Sequence, residues 1–361
     1  MKKMNLLLFI STIIICIFGI IMITSSSYIW AEYKFNDPYK FMKSQVIFFI
    51  LGLITMIFVS KIDYHIYYKY ANKIFLIIII LLVLVLIPGI GIVRNGSRSW
   101  FGIGNLGIQP SEFMKLGIII FISKYMVKNN RNLRDIKKGV LPILGLVLFV
   151  FGLVMLEPDF GSGMIIMMIA IGLFFVGNVN MKFFVGLGIL GVIGITVLIL
   201  IAPYRLERIL SFINPWSDPL GSGFQIIQSL YAIGPGGLFG YGFGNSRQKH
   251  FYLPEPQTDF IFSIISEEFG FLGCLIVVSL FVTIIITGFK ISKKCNDMFG
   301  KFLGFGITFW IAFQATLNLM VVVGLIPVTG VTLPFLSYGG SSLLILMTSI
   351  GVLLNISRQI K

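Results

Sequence analysis

Residues 203–269 read PYRLERILSFINPWSDPLGSGFQIIQSLYAIGPGGLFGYGFGNSRQKHFYLPEPQTDFIFSIISEEF. The stretch is polar, rich in Gly and Pro, and carries Arg205, Arg208, Arg247, Lys249, Glu255 and Asp259. Long apolar runs flank it on both sides. Irregular segments tend to carry function on a scaffold of regular ones, so the chemistry is expected here. The nature of the flanking runs decides the fold.

Hydrophobic residues make up 57% of the 361 positions and charged residues 12%, against about 25% charged in a soluble domain. Length alone would suggest two or three soluble domains. Composition indicates instead one all-α polytopic membrane domain, residues 1–361. A span needs about 20 apolar residues. Ten candidates lie near 6–26, 44–60, 74–93, 112–127, 139–156, 160–178, 183–202, 259–288, 302–325 and 335–356. The opening MKKMNLLLFISTIIICIFGIIMITSSS starts like a signal peptide. Its apolar run is too long, however, and no small-x-small cleavage site follows closely, so a first transmembrane helix is expected.

The net charge of +14 reads as a topological signal. With the N-terminus inside, the inner segments hold about twice as many Lys and Arg as the outer ones, as the positive-inside rule requires. Both termini are then cytoplasmic, and 203–258 becomes a long extracellular loop between spans seven and eight. Charges placed this way argue against a nucleic-acid partner. Cys16, Cys274 and Cys295 suggest no disulfide, CxxC spacing is absent, and with only His65 and His250 no His-based metal site is expected. Matching broken helices, the mark of inverted-repeat transporters, are not evident.

Within LPEPQTDFIFSIISEEFGFLG, Pro254 and Pro256 hold the approach extended. Thr258 can cap a helix, with Asp259 in its first turn, where the dipole favours an ionised carboxylate. Such an acid either supports the cap or accepts a proton from an incoming hydroxyl. Glu267 and Glu268 lie roughly 12–13 Å deeper at 1.5 Å per residue. At that depth they must be paired or protonated, and a structural role is favoured over a polar path. Glu112 and Lys115, in QPSEFMKLG, form an i, i+3 pair. It is either a packing salt bridge or the charged wall of a substrate cavity. NGSRSWFGIGNLGIQPSE, with Arg98 and Trp100, suits a segment lying along the outer membrane surface. Arg205 and Arg208 in RLERILSFI can snorkel to lipid phosphate or grip a lipid diphosphate with their guanidinium forks. AIGPGGLFGYGFGNS lacks the GK[ST] of a Walker loop and reads as a compact or re-entrant segment buried in protein.

Four ordered blocks, NGSRSWFGIGNLGIQPSEFMK, LEPDFGSG, the stretch from 203 to 270 and GLIPVTGVTLPFLSYGGSS, resemble the SEDS family (shape, elongation, division, sporulation) of FtsW, RodA and SpoVE. The likeness runs from about the second span to the end, and the wording lies closest to the FtsW/SpoVE branch. It implies an inverting peptidoglycan glycosyltransferase that polymerises lipid II on the outer face of the cytoplasmic membrane, at the division septum or the forespore membrane. It implies a class B penicillin-binding protein, the transpeptidase, as partner, alongside division or sporulation membrane proteins. The essential acid of the family falls on Asp259, expected as general base. Arg205, Arg208 and Lys249, with Arg98 or Lys115, are expected at the diphosphates, Glu112 beside Lys115, and Asp259 or Glu255 near any divalent cation there. A divalent cation, Mg or Mn, could share the diphosphate; no ligand spacing requires one. Two other classes fit the charges: a lipid II flippase, and a scaffold that recruits the penicillin-binding protein.

Overall fold

A computed structural model describes residues 2–94, 96–103, 106–201, 212–221 and 223–360. In chain order the main helices are α1 (Lys2–Phe35), α2 (Lys40–Val59), α3 (His65–Leu86), α4 (Pro110–Lys128), α5 (Leu141–Leu156), α6 (Phe160–Val176), α7 (Met181–Ile201), α8 (Phe224–Ile233), α9 (Ile261–Lys294), α10 (Met298–Val322) and α11 (Gly340–Gln359). Among the described residues, seven segments are long and apolar enough to cross a membrane: α1, α2, α3, Ile136–Leu156, α9, α10 and α11. Helix α6 and the start of α7 are shorter apolar helices, and α4 is interrupted by charge. Each of the ten expected apolar runs thus coincides with a helix, and the chain is a polytopic, mostly helical membrane protein.

One small sheet accompanies the helices among the described residues. Between α3 and α4 lies a three-stranded antiparallel sheet: β1 (Ile92–Arg94), β2 (Ser97–Ile103) and β3 (Leu106–Ile108), in the order β1-β2-β3. The segment read as a surface stretch pairs with itself because SRSWFGI is too short and too Gly- and Ser-rich to hold a helix, while closely spaced strands can satisfy each other's amides.

Side chains along the outer faces of the helices, such as Ile50, Ile54 and Phe58 on α2, Leu76 and Ile77 on α3, and Ile189 and Leu190 on α7, are exposed, as lipid contact requires. Helix α11 is the most buried span and packs most extensively on α2. Small residues permit that contact: a Cβ on Gly351 would stand 2.6 Å from the Met56 carbonyl oxygen. At one end the contact is pinned by Asn355, whose Nδ2 donates to the Ser60 carbonyl at 3.0 Å and whose Oδ1 accepts from the Tyr64 amide at 3.0 Å.

Helix α9 is kinked at Gly270, where φ is 62°. Only glycine takes that backbone without strain. The glycine-rich segment 237–242 lies against the kink. Phe271 and Leu272 amides donate to the Gly237 and Leu238 carbonyls, and Tyr241 and Gly242 amides to those of Glu267 and Glu268, all at 2.8–3.1 Å. The segment is compact, as its composition suggested, but it is not buried in protein: its backbone is clasped to α9 while Leu238, Phe239 and Tyr241 stay exposed.

Candidate active site

A cavity of 560 Å³ opens where the α1–α2 connection, the sheet, the starts of α4 and α6, and the segment leading into α9 converge. Asp259, Glu255, Glu112 and Lys115 line it together. Up to 147 positions separate these residues along the chain, and the fold brings all four to one space.

Asp259 does not sit in the first turn of a helix. Helix α9 begins at Ile261, and its N-cap Phe260 supplies no side-chain cap. The Thr258 hydroxyl is spent on the Glu255 carbonyl, at 2.8 Å, and so cannot cap. The approach is instead held from the other side of the molecule. Asn318 Nδ2 donates to the Asp259 and Val331 carbonyls, both at 2.7 Å. Ser337 Oγ donates to the Thr258 carbonyl at 2.6 Å, and the Tyr338 amide to that of Gln257 at 2.8 Å. These bonds fix the backbone and leave the carboxylate without a hydrogen-bond partner among the described residues. Gly330, at φ 72°, faces it: a Cβ there would lie 3.8 Å from Asp259 Oδ2. Asp259 is only half-buried, because the cavity admits solvent, yet it is crowded by protein. Burial first, then the Glu255 and Asp159 charges, push its carboxyl up to about 7. The group is therefore poised near neutrality, where a general base works best, rather than firmly ionised by a dipole.

Glu112 and Lys115 form a buried ion pair at 2.6 Å in the cavity wall, and the Lys115 ammonium lies 5.8 Å from the Trp310 ring centroid. Both readings of this pair survive in part: it is packed, and it faces the cavity. Asp159, in LEPDFGSG, had no assigned role. Its Oδ1 caps α6 through the Ser162 amide at 3.0 Å, and its Oδ2 accepts from Gln109 Nε2 at 2.8 Å, at the start of α4. An Asx cap signal in the sequence could have found it. Nearby Glu157 is fully buried, and both its oxygens lack partners among the described residues. Burial, then Asp159, push it up to about 9, so it is a neutral acid at physiological pH.

Of the residues expected at the diphosphates, Lys115 lines the cavity, whereas Lys249 and Arg98 do not. Lys249 is buried, with Nζ donating to Gly244 O at 2.6 Å, and to Glu268 Oε1 and Ser25 Oγ at 3.0 Å. Three acceptors, one of them charged, leave it nothing for a substrate; the deep acid needed a counter-ion and took this one. Glu267 accepts from the Arg247 and Gln248 amides at 2.8 and 3.3 Å, which bears out the structural reading of both glutamates. Arg98 lies on β2, opposite Val93, and is not among the cavity residues. Arg205 and Arg208 fall outside the described residues. The cavity's remaining lysines, Lys34 at the end of α1 and Lys40 at the start of α2, were missed, because at span ends they read as ordinary interfacial charges.

The FTSW_RODA_SPOVE model, described as cell cycle protein, matches residues 5–361. Stage V sporulation protein E of Bacillus subtilis (strain 168) is 51% identical over 98% of this chain and 97% of its own. The probable peptidoglycan glycosyltransferase FtsW of Geobacter sp. (strain M18) is 38% identical over 99% and 97%. Among solved structures, a chain from work on the structural coordination of polymerization and crosslinking by a peptidoglycan synthase complex superposes with a TM-score of 0.76, at 31% identity, covering 95% of this chain and 96% of that one. The rod shape determining protein RodA of Thermus thermophilus gives 0.71 at 26% identity, over 98% and 96%. Likeness over nearly the whole length, in sequence and in fold, means that this chain belongs to the FtsW/RodA/SpoVE family.

Proposed function

We propose that the chain is a peptidoglycan glycosyltransferase that polymerises lipid II at the outer face of the cytoplasmic membrane, with Asp259 as general base. The observation that carries this is the Asp259 carboxylate: rigidly mounted, unbonded, poised near neutrality, and open to a cavity ringed by Glu112, Lys115 and Asp159. In the reaction the acceptor GlcNAc 4-hydroxyl oxygen forms a bond to the donor MurNAc anomeric carbon. The bond from that carbon to the diphosphate breaks, its electron pair leaves on undecaprenyl diphosphate, and the hydroxyl proton passes to Asp259. A single displacement inverts the carbon, turning an α-linked donor into a β-1,4 link.

The protein's share is to orient the hydroxyl, hold the leaving group and take one proton. Among the described residues no group of three or more His, Cys, Asp or Glu could hold a metal ion. A Mg or Mn ion would thus take most of its oxygens from the substrate or water, with Asp259 or Glu255 at its edge. When bound it would supply charge to the departing diphosphate.

The likeness to sporulation protein E and to FtsW supports a role in spore-cortex or septal wall, at the forespore membrane or septum. The likeness to a peptidoglycan synthase complex supports a class B penicillin-binding protein as partner. The test is polymerisation of labelled lipid II by the purified chain with that transpeptidase. Asp259→Asn should fold, bind its partner and lose almost all polymerisation. Wild-type rates from that variant would refute the assignment, and flipping of lipid II without polymerisation would favour a transporter.

A further inference from the structure

We propose that Lys34, in the last turn of α1, and Lys40, at the start of α2, form the wall that binds the diphosphate of the lipid substrate; this rests on the glycosyltransferase reading above. Three observations converge on it. The first is charge accounting within the cavity. Lys115 is neutralised by Glu112 at 2.6 Å, and Lys249 is committed to Glu268 at 3.0 Å outside the cavity. Lys34 and Lys40 line the cavity, and neither joins a salt bridge among the described residues. The nearby acid, Asp37, is occupied by Lys43 at 3.0 and 3.1 Å.

The second is the helix end itself. The first turn of α2 contains Lys40 and Lys43 and no acid, and its N-cap Tyr39 contributes no side-chain cap. Cations at a helix N-terminus are unfavourable unless an anion answers them, because the exposed amides already carry positive potential there. Asp37 answers part of that potential, accepting from the Tyr39 amide at 3.1 Å, but it does not line the cavity, whereas Lys40 does.

The third is how the ammonium groups are held. Lys34 Nζ lies 4.5 Å from the Trp30 ring centroid and Lys40 Nζ 3.2 Å from that of Phe35. Aromatic faces hold a cation in place without neutralising it. Asp259, Glu255 and Asp159 on the other walls repel a diphosphate, so the leaving group belongs at the lysines and the acceptor hydroxyl at the carboxylates.

The test uses the full chain with its transpeptidase partner in nanodiscs. Lys34→Ala and Lys40→Ala should each raise KM for lipid II about tenfold, the loss of one charge-assisted contact, with kcat little changed. Lys40→Arg should retain a near-normal KM. A readout independent of turnover is amine-directed labelling followed by mass spectrometry, carried out on the Asp259→Asn variant. Undecaprenyl diphosphate should protect Lys34 and Lys40 several-fold, whereas the uncharged prenol should not. Equal labelling with and without the diphosphate would overturn the proposal, even if Asp259 proves to be the base. So would protection by phosphatidylglycerol nanodiscs alone, which would assign the lysines to membrane headgroups. Full polymerisation by Asp259→Asn would sink the parent reading while leaving protection by the diphosphate as a separate result.

Discussion

Two clusters of charge lie in this molecule, and they are built to opposite rules. Around Lys249, Glu267 and Glu268 each charged group has a partner, ammonium to carboxylate and carboxylate to amide, and Glu268 Oε2 alone of their charged atoms is orphaned among the described residues. Around Asp259 the groups border a cavity and are less completely matched. The Asp259 carboxylate has no partner among the described residues, Glu112 Oε2 and both Glu157 oxygens are orphaned, and carboxylates crowd one another. Buried charge is tolerated only when paired, so a matched cluster holds helices together. A mismatched one beside a cavity has retained its capacity for a ligand. The two clusters contain the same residue types; satisfaction, rather than composition, separates architecture from chemistry.

That contrast can be broken by mutation. The largest effect should come from Asp259→Asn, which removes the base. Polymerisation of lipid II should fall by about 10² to 10⁴, while the purified protein stays folded, with a melting temperature no lower than that of the wild type. Glu268→Gln should do the reverse. It strands a buried ammonium, which costs about 3–5 kcal/mol, seen as a lower thermal unfolding midpoint in detergent. Adding Lys249→Met should recover much of the loss, and the surviving folded protein should still polymerise. If Glu268→Gln instead abolished activity at full stability, the division between the clusters would fail.

Proton affinity sharpens the comparison further. With Asp259 pushed up to about 7, the polymerisation rate should drop roughly tenfold per pH unit below that value. Glu255→Gln removes one source of the upward push, so the acid limb should move to lower pH by a fraction of a unit. The smallest effect concerns stability. Asp259 holds its proton more tightly folded than unfolded, where its value is about 3.9. Its contribution is fully present below about pH 4 and is lost as pH rises through 7. Unfolding midpoints compared at pH 5 and 7.5 should show that slope in the wild type and lose part of it in Asp259→Asn.

Hydropathy made the ten apolar helices legible, because lipid allows few alternatives to a continuous apolar run. The sheet at Ile92–Ile108 was not recognised, although Asn95-Gly96 is a hairpin signal; strands of three residues are too short to show a period. Asp259 was found by position and by resemblance, but its mounting was misread. The Thr258 hydroxyl had two acceptable uses, and local sequence does not say which one tertiary contacts from Asn318 and Ser337 will favour. Lys249 was misassigned for a similar reason. A lysine in a polar loop is equally consistent with a phosphate and with a glutamate 19 positions away, and only folding decides. Asp159 carried a cap signal but no sign of a cavity, Lys34 and Lys40 carry no motif of their own, and the cavity they share exists only in three dimensions.

The kink at Gly270 has a practical consequence for exchanging parts between relatives. The outer portion of α9 shares its backbone bonds with residues 237–242, and the Gly240 amide bonds to Gly236 within the same unit. Residues 236–272 are thus one cassette that spans what looks like a loop–helix border. A chimaera cut at that border, near Ile261, would separate a glycine clasp from the helix it was shaped for. One cut at 236 and 272 would carry the clasp, the kink and Asp259 across together.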